Sequence, residues 1–248
     1  MSWSMLALLF VAGLWAGAQN ALAGGGSFVT LPALILSGLD PKLANITSTV
    51  ALFPGQLSTG WAGRSLVAGT ERLRFRTLAA ISLVGGVAGA FLLLRTPSGV
   101  FASMVPWLVL AATALFAWSS FGPRSRATPV PPPAWGSALI QGGIAVYSGF
   151  FGGGAGIVTL AALTLAGMPV RNAGGTKNVL VALSNIAAAL VFAATVAIAW
   201  DKALAIGAGS MIGGWVGAQG LRRLPASVLK IAVVVIGVAL TVALFVRG

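Results

Sequence analysis

Ten apolar stretches, at residues 4–23, 27–37, 44–63, 77–94, 101–121, 136–151, 155–166, 172–200, 203–220 and 228–246, occupy nearly all of the 248-residue chain. A helix that crosses a bilayer needs about 20 largely apolar residues, so a chain patterned in this way folds as an all-α polytopic membrane protein. Only 7% of its residues are charged, against about 25% in a soluble domain. That excludes a soluble enzyme, a disordered chain and a separate soluble domain. The absence of cysteine removes any disulfide framework. Residues 1–22 have no basic start and are read as mature structure rather than a cleaved leader.

Two of the stretches, 27–37 and 155–166, are too short to span, because they rise only about 16–18 Å as helix. Each follows a glycine cluster, Gly24-Gly25-Gly26 and Gly152-Gly153-Gly154, where the backbone can turn as no other residue allows. Each is therefore expected to be one arm of a broken helix. The proline-rich run Pro129–Pro133 marks a stiff connector over 122–134, leaving a first half, 1–121, and a second, 135–248.

The halves are copies. At an offset of 129, Val29-Thr30-Leu31 falls on Val158-Thr159-Leu160, Gly38 on Gly167, Lys42 on Arg171 and Thr47 on Thr176. At an offset of 128, residues 82–97 and 210–225 share eight identities in sixteen positions, including Gly85, Gly86, Gly89 and Pro97. Such duplication is a common way to build a transporter. Cytoplasmic loops collect Lys and Arg. If each broken helix returns to its own side, ten basic residues (Arg64, Arg72, Arg74, Arg76, Arg124, Arg126, Arg171, Arg222, Arg223 and Lys230) share one face and four (Lys42, Arg95, Lys202 and Arg247) the other. Full crossings divide them no better than eight to six. The charge pattern thus predicts three full spans plus one re-entrant hairpin per half, with the second copy inverted.

The net charge of +12 lies in short loops, where it suits an anionic leaflet rather than nucleic acid. Enzyme chemistry finds no support. There is no His or Cys, and Asp40, Glu71 and Asp201 sit at segment ends or in loops. No cofactor or metal is expected.

Close helix packing accounts for Gly85-Gly86 and Gly213-Gly214. The clusters Gly24, Gly25, Gly26 and Gly152, Gly153, Gly154 instead expose helix N-termini at membrane depth, where unpaired N–H groups and the helix dipole favour an anion. Side chains able to add donors are Asn20, Ser27, Thr47, Ser48, Gln56, Thr176, Lys177, Asn178 and Asn185. Ordinary capping and interhelical bonding is the alternative use of the hydroxyls. Lys177, whose equivalent is Ser48, places a cation in one copy alone, as a central site for a single anion needs. Two termini at about 0.3–2 kcal/mol each, with donors at about 1.5–3 each, roughly offset a relaxed desolvation cost of several kcal/mol. The result is weak, reversible anion binding.

At these residues the chain resembles the TauE/SafE family of sulfite and organosulfonate exporters, also called the toluene-sulfonate uptake permease family. The resemblance covers essentially the whole chain. It rests on Ala16-Gly17, Gly24-Gly25-Gly26, Pro32, Gly38-Leu39-Asp40-Pro41, Ala44 and Thr47-Ser48. The second copy carries it on Ser148-Gly149-Phe150-Phe151-Gly152-Gly153-Gly154, Gly167-Met168-Pro169, Ala173 and Thr176. Ala23, where the first copy often has another glycine, and Ala161, opposite Pro32, depart from the pattern. The resemblance implies a secondary transporter, in the export direction, of a small sulfur-containing anion such as sulfite, thiosulfate or an organosulfonate, in a bacterial inner membrane. The residues alone specify only a small anion. A passive anion channel and a non-transporting membrane subunit are the alternatives. The partners are the anion and the bilayer, and a homo-oligomer is compatible with the same sequence.

Overall fold

The computed structural model describes residues 2–22, 24–121 and 131–220, with scattered positions between 231 and 246. Among them the chain forms α1 (Trp3–Leu22), α2 (Ser27–Leu36), α3 (Pro41–Ala62), α4 (Phe75–Arg95) and α5 (Ser98–Phe121). The second half gives α6 (Ala134–Phe150), α7 (Ala155–Leu165), α8 (Val170–Thr195) and α9 (Trp200–Gly220). The described residues contain no strand. Most of the connector and of the tenth apolar stretch lies outside them. By length and composition α1, α4, α5 and α8 are able to cross a membrane. The 10 residues of α2 and 11 of α7 are not.

Helix ends follow local chemistry. Pro41 opens α3 after Asp40, whose carboxylate accepts from the N–H groups of Lys42 and Leu43 at 3.1 and 3.2 Å. The short arms stop in the same way. Gly38 (φ +94°) and Gly167 (φ +84°) take the left-handed conformation, while Leu39 N–H returns to Leu34 and Met168 N–H to Leu163 at 3.3 and 3.1 Å. The two stops are 129 residues apart, as the duplication predicts.

Small residues set how closely the helices approach and reveal their directions. On α1, Gly13 and Gly17 lie against Ile206 and Ser210 of α9, and Gly217 against Ala18 and Ala21. Both chains advance together, so α1 and α9 run the same way. On α4, Gly85 meets Ala145 and Gly89 meets Phe150 of α6, again in parallel. Ala51 and Ser58 of α3 lie beside Gly207 and Gly214 of α9, a third parallel pair. By contrast, Gly60 of α3 faces Val179 of α8, and Gly63 faces Gly175. There one chain advances as the other retreats, so α3 and α8 are antiparallel.

At Gly86 a methyl group would run into the Ser184 backbone carbonyl, and at Gly149 into that of Gly86. Backbone cannot swing aside as a side chain can. Gly86→Ala is therefore expected to destabilise the protein by about 1–3 kcal/mol through overpacking. Gly143→Ala, with open space around the new methyl, is expected to be neutral or stabilising by up to about 1 kcal/mol. Thermal unfolding of the two variants in detergent checks the contrast.

Candidate functional site

Each break is held open by side chains of the helix before it. The Gln19 amide donates to the Gly25 carbonyl at 2.9 Å and itself accepts from the Trp15 indole at 3.1 Å. The Asn20 side-chain oxygen accepts from the Gly26 N–H at 2.7 Å. In the second half the Tyr147 hydroxyl donates to the Gly153 carbonyl. Left-handed backbone makes the turn itself, at Gly24 (φ +82°) and Gly25 (φ +88°) in one copy and Gly152 (φ +77°) and Gly154 (φ +75°) in the other. Gly153 is not in that region, so the expected strain falls on its neighbours.

The two breaks touch. A methyl on Gly24 would lie 3.1 Å from the Cα of Gly156, and one on Gly152 would lie 3.8 Å from the Ser27 hydroxyl. The N–H groups of Phe28, Val29 and Thr30 turn back to Gly25 and Gly26, and those of Ile157 and Val158 to Gly154. Among the described residues, Ser27 and Gly156, equivalent at the offset of 129, make no such backbone bond. Both line a small cavity at the meeting point.

That cavity also gathers Asn20, Gly24, Gly25, Gln56, Gly152, Lys177, Asn178 and Asn185. With Ser27, nine of the fifteen residues picked from the sequence share it. Lys177 is 2% exposed and engaged within the protein. Asn185 accepts from Ser148 at 3.0 Å. Gln56, 8% exposed, has a side-chain oxygen with no hydrogen-bond partner among the described residues. The oxygen and nitrogen ends of an amide are interchangeable by rotation, so either can be turned to a ligand.

The other six stand around this cavity rather than in it. Gly26 and Gly153 are tied as described, and Gly154 caps α7. Ser48 pairs with Thr30 at 2.6 Å. Thr176 is taken up by the loop after α3, accepting from the Ala68 N–H at 3.0 Å and donating to its carbonyl at 3.3 Å. Thr47 is fully buried, and its hydroxyl has no partner among the described residues. Three lining residues escaped the sequence reading: Thr59, Gly156 and Val181. Thr59 was findable, since it lies three residues from Gln56 on one face of a helix. Gly156 was findable as the equivalent of Ser27. Val181 carries no polar signal.

The cavity measures about 20 Å³, room for little more than one water centre. An oxyanion needs the walls to part. The polar side chains of the lining are amides, hydroxyls and one lysine, with no carboxylate.

A family model described as "Sulfite exporter TauE/SafE" matches residues 9–244. The chain is 31% identical over 248 residues to the "Probable membrane transporter protein ORF9" of Sinorhizobium sp, covering 98% of this chain and 94% of that one. It is 28% identical over 240 residues to a "Probable membrane transporter protein" of Haemophilus influenzae, covering 96% and 93%. With the "Probable membrane transporter protein YfcA" of Escherichia coli K12 it shares 29% over 220 residues, covering 87% and 80%.

Proposed function

The chain belongs to the sulfite exporter TauE/SafE family, and from that premise we propose that it is a secondary transporter of a small sulfur-containing anion. Sulfite, thiosulfate and simple organosulfonates are the candidates. Membership makes it a multi-pass membrane protein of a transporter family; the anion and the export direction are our reading. One observation carries it. Two helix N-termini from separate halves meet at a buried cavity, and the side chains that complete its wall include a lysine and an unsatisfied amide. Helix termini and charge-assisted donors of this kind suit an anion.

In this reading each half contributes three full spans and one re-entrant hairpin, and the second copy is inverted. The antiparallel run of α3 and α8, which are sequence equivalents, supports inversion. The hairpin is supported by α1 and α3 both running parallel to α9, which requires α2 to lead the chain back between them. The charge division then puts the loop around Ala68 in the cytoplasm of a bacterial inner membrane. Single cysteines at Ala68 and Arg72 are expected to label only from the cytoplasm, and at Gly99 and Asp201 only from outside. Arg72, just before α4, and Asp201, in the first turn of α9, mark the starts of equivalent helices, so labelling of both from one side ends the inverted reading.

The ligand is tested by a thermal-shift panel of sulfite, thiosulfate, sulfonates, sulfate and carboxylates on purified protein. A ligand at 100 times its dissociation constant adds about 2.7 kcal/mol, or roughly 5–11 °C for a chain of this size. The expected result is a shift with a sulfur oxyanion or sulfonate and none with carboxylates. A carboxylate preference overturns the substrate class, and no shift together with no flux in liposomes overturns transport. Flux that never runs uphill under an imposed pH or Na⁺ gradient makes the protein a channel.

A further inference from the structure

The duplication pairs Thr47 with Thr176, and it also pairs Val67-Ala68 with Val196-Ala197. Val67 follows a short turn, Arg64–Leu66, after α3, Val196 follows α8 directly, and both are extended. In the second half Thr176 holds Ala68 by two hydrogen bonds, and Asn172 adds a third to the Leu66 carbonyl at 3.1 Å. This end of the α3–α8 pair is tied, with Gly63 and Gly175 in close contact. At the opposite end nothing corresponds. Thr47 is fully buried with a hydroxyl that has no partner among the described residues, while Ala197 is exposed. An apolar cleft of about 400 Å³ opens beside that end, lined by Val50 and Pro54 of α3, Ile186 and Leu190 of α8, and Leu204 and Gly207 of α9. The same contrast recurs in Thr113, buried and without a partner among the described residues, against its equivalent Thr241, which has one. Buried polar groups left unsatisfied are uncommon and call for an explanation.

We propose that Thr176–Ala68 and Thr47–Ala197 are two alternative latches, one at each end of the α3–α8 pair, and that only the first is closed in this structure. Tying the second would bring the chain at Ala197 onto α3 and release the first, so that the central cavity opens to one face at a time. The inference rests on the inverted-repeat transporter reading and adds the moving contacts to it.

Two cysteine pairs in the otherwise cysteine-free chain test it in native membranes: Thr176→Cys with Ala68→Cys, and Thr47→Cys with Ala197→Cys. Under oxidant each pair is expected to close, each closure to arrest anion flux, and reductant to restore it. In the four-cysteine protein a single molecule should carry one disulfide or the other, never both. Failure of the second pair to close while the first does, or closure of both in one molecule, overturns the proposal. Thr47→Val is expected to melt like the parent yet slow flux about fivefold, the worth of one buried hydrogen bond in the other state, with Thr47→Ser restoring it. Parental flux in Thr47→Val overturns the role of the hydroxyl. Cross-linking is read without any substrate. Alternate closure without flux therefore keeps the latches and removes transport, whereas flux without closure of the second pair does the reverse.

Discussion

Lys177→Met is expected to weaken anion binding by about tenfold to a hundredfold or more while the protein inserts and folds. A hydrogen bond to a charged group contributes about 1.5–3 kcal/mol, and each 1.4 kcal/mol is a factor of ten. The tertiary structure explains why this residue rather than its equivalent carries the effect. In the first half Ser48 is already closed onto Thr30 at 2.6 Å. In the second half Thr159 turns back to the Ala155 carbonyl of its own helix at 2.7 Å, and Lys177 lines the cavity. Met keeps the apolar stem and its packing while removing the ammonium, which separates charge from volume. Lys177→Ala should lose binding to the same extent with more loss of stability, and Lys177→Arg should retain part of it. Isothermal titration with the best ligand of the thermal-shift panel measures all four proteins. Equal affinities would leave backbone N–H groups and amides as the only donors.

Gly25→Val is expected to abolish binding altogether. Gly25 sits at φ +88°, a region closed to β-branched residues, and its new Cβ would press on the Phe28 ring at 3.0 Å. The Gln19 bond to the Gly25 carbonyl depends on that turn. Backbone strain of this kind costs on the order of 1–3 kcal/mol, and the break is the one place where the chain can relieve it. Gly154→Val, at φ +75°, should behave alike. Gly153→Val should be milder, because its φ is ordinary and its new Cβ meets a side chain, the Phe151 ring at 2.6 Å. Gly25→Asn, which tolerates the left-handed region better, should fall between parent and Val. If Gly25→Val binds the anion like the parent, the clusters are packing devices and no more.

Much of this was legible in local sequence. The helix ends sit within a few residues of the apolar stretches, apart from α8, which stops at Thr195 where the apolar run continues to residue 200. The break before each short arm was readable because glycine clusters precede runs too brief to span. The polar residues inside apolar segments were readable because burying one costs free energy unless it finds a use. The use itself was not readable. Thr47 and Thr176 occupy equivalent places, yet one is bonded twice to a distant loop and the other to nothing described.

Composition, hydrophobic period and duplication determined the class of the protein, its helices and its two breaks. Each of these depends on neighbours a few residues away or on copies a fixed offset apart. The meeting of the breaks at Gly24 and Gly156, the face on which Lys177 stands and the end at which α3 and α8 are tied were decided only in the tertiary structure. They follow from contacts between residues more than a hundred positions apart, such as Ala68 with Thr176. An offset equates such residues across the two copies without saying which of them touch. Packing can satisfy one copy's polar groups while leaving the other's open, as at Thr176 and Thr47.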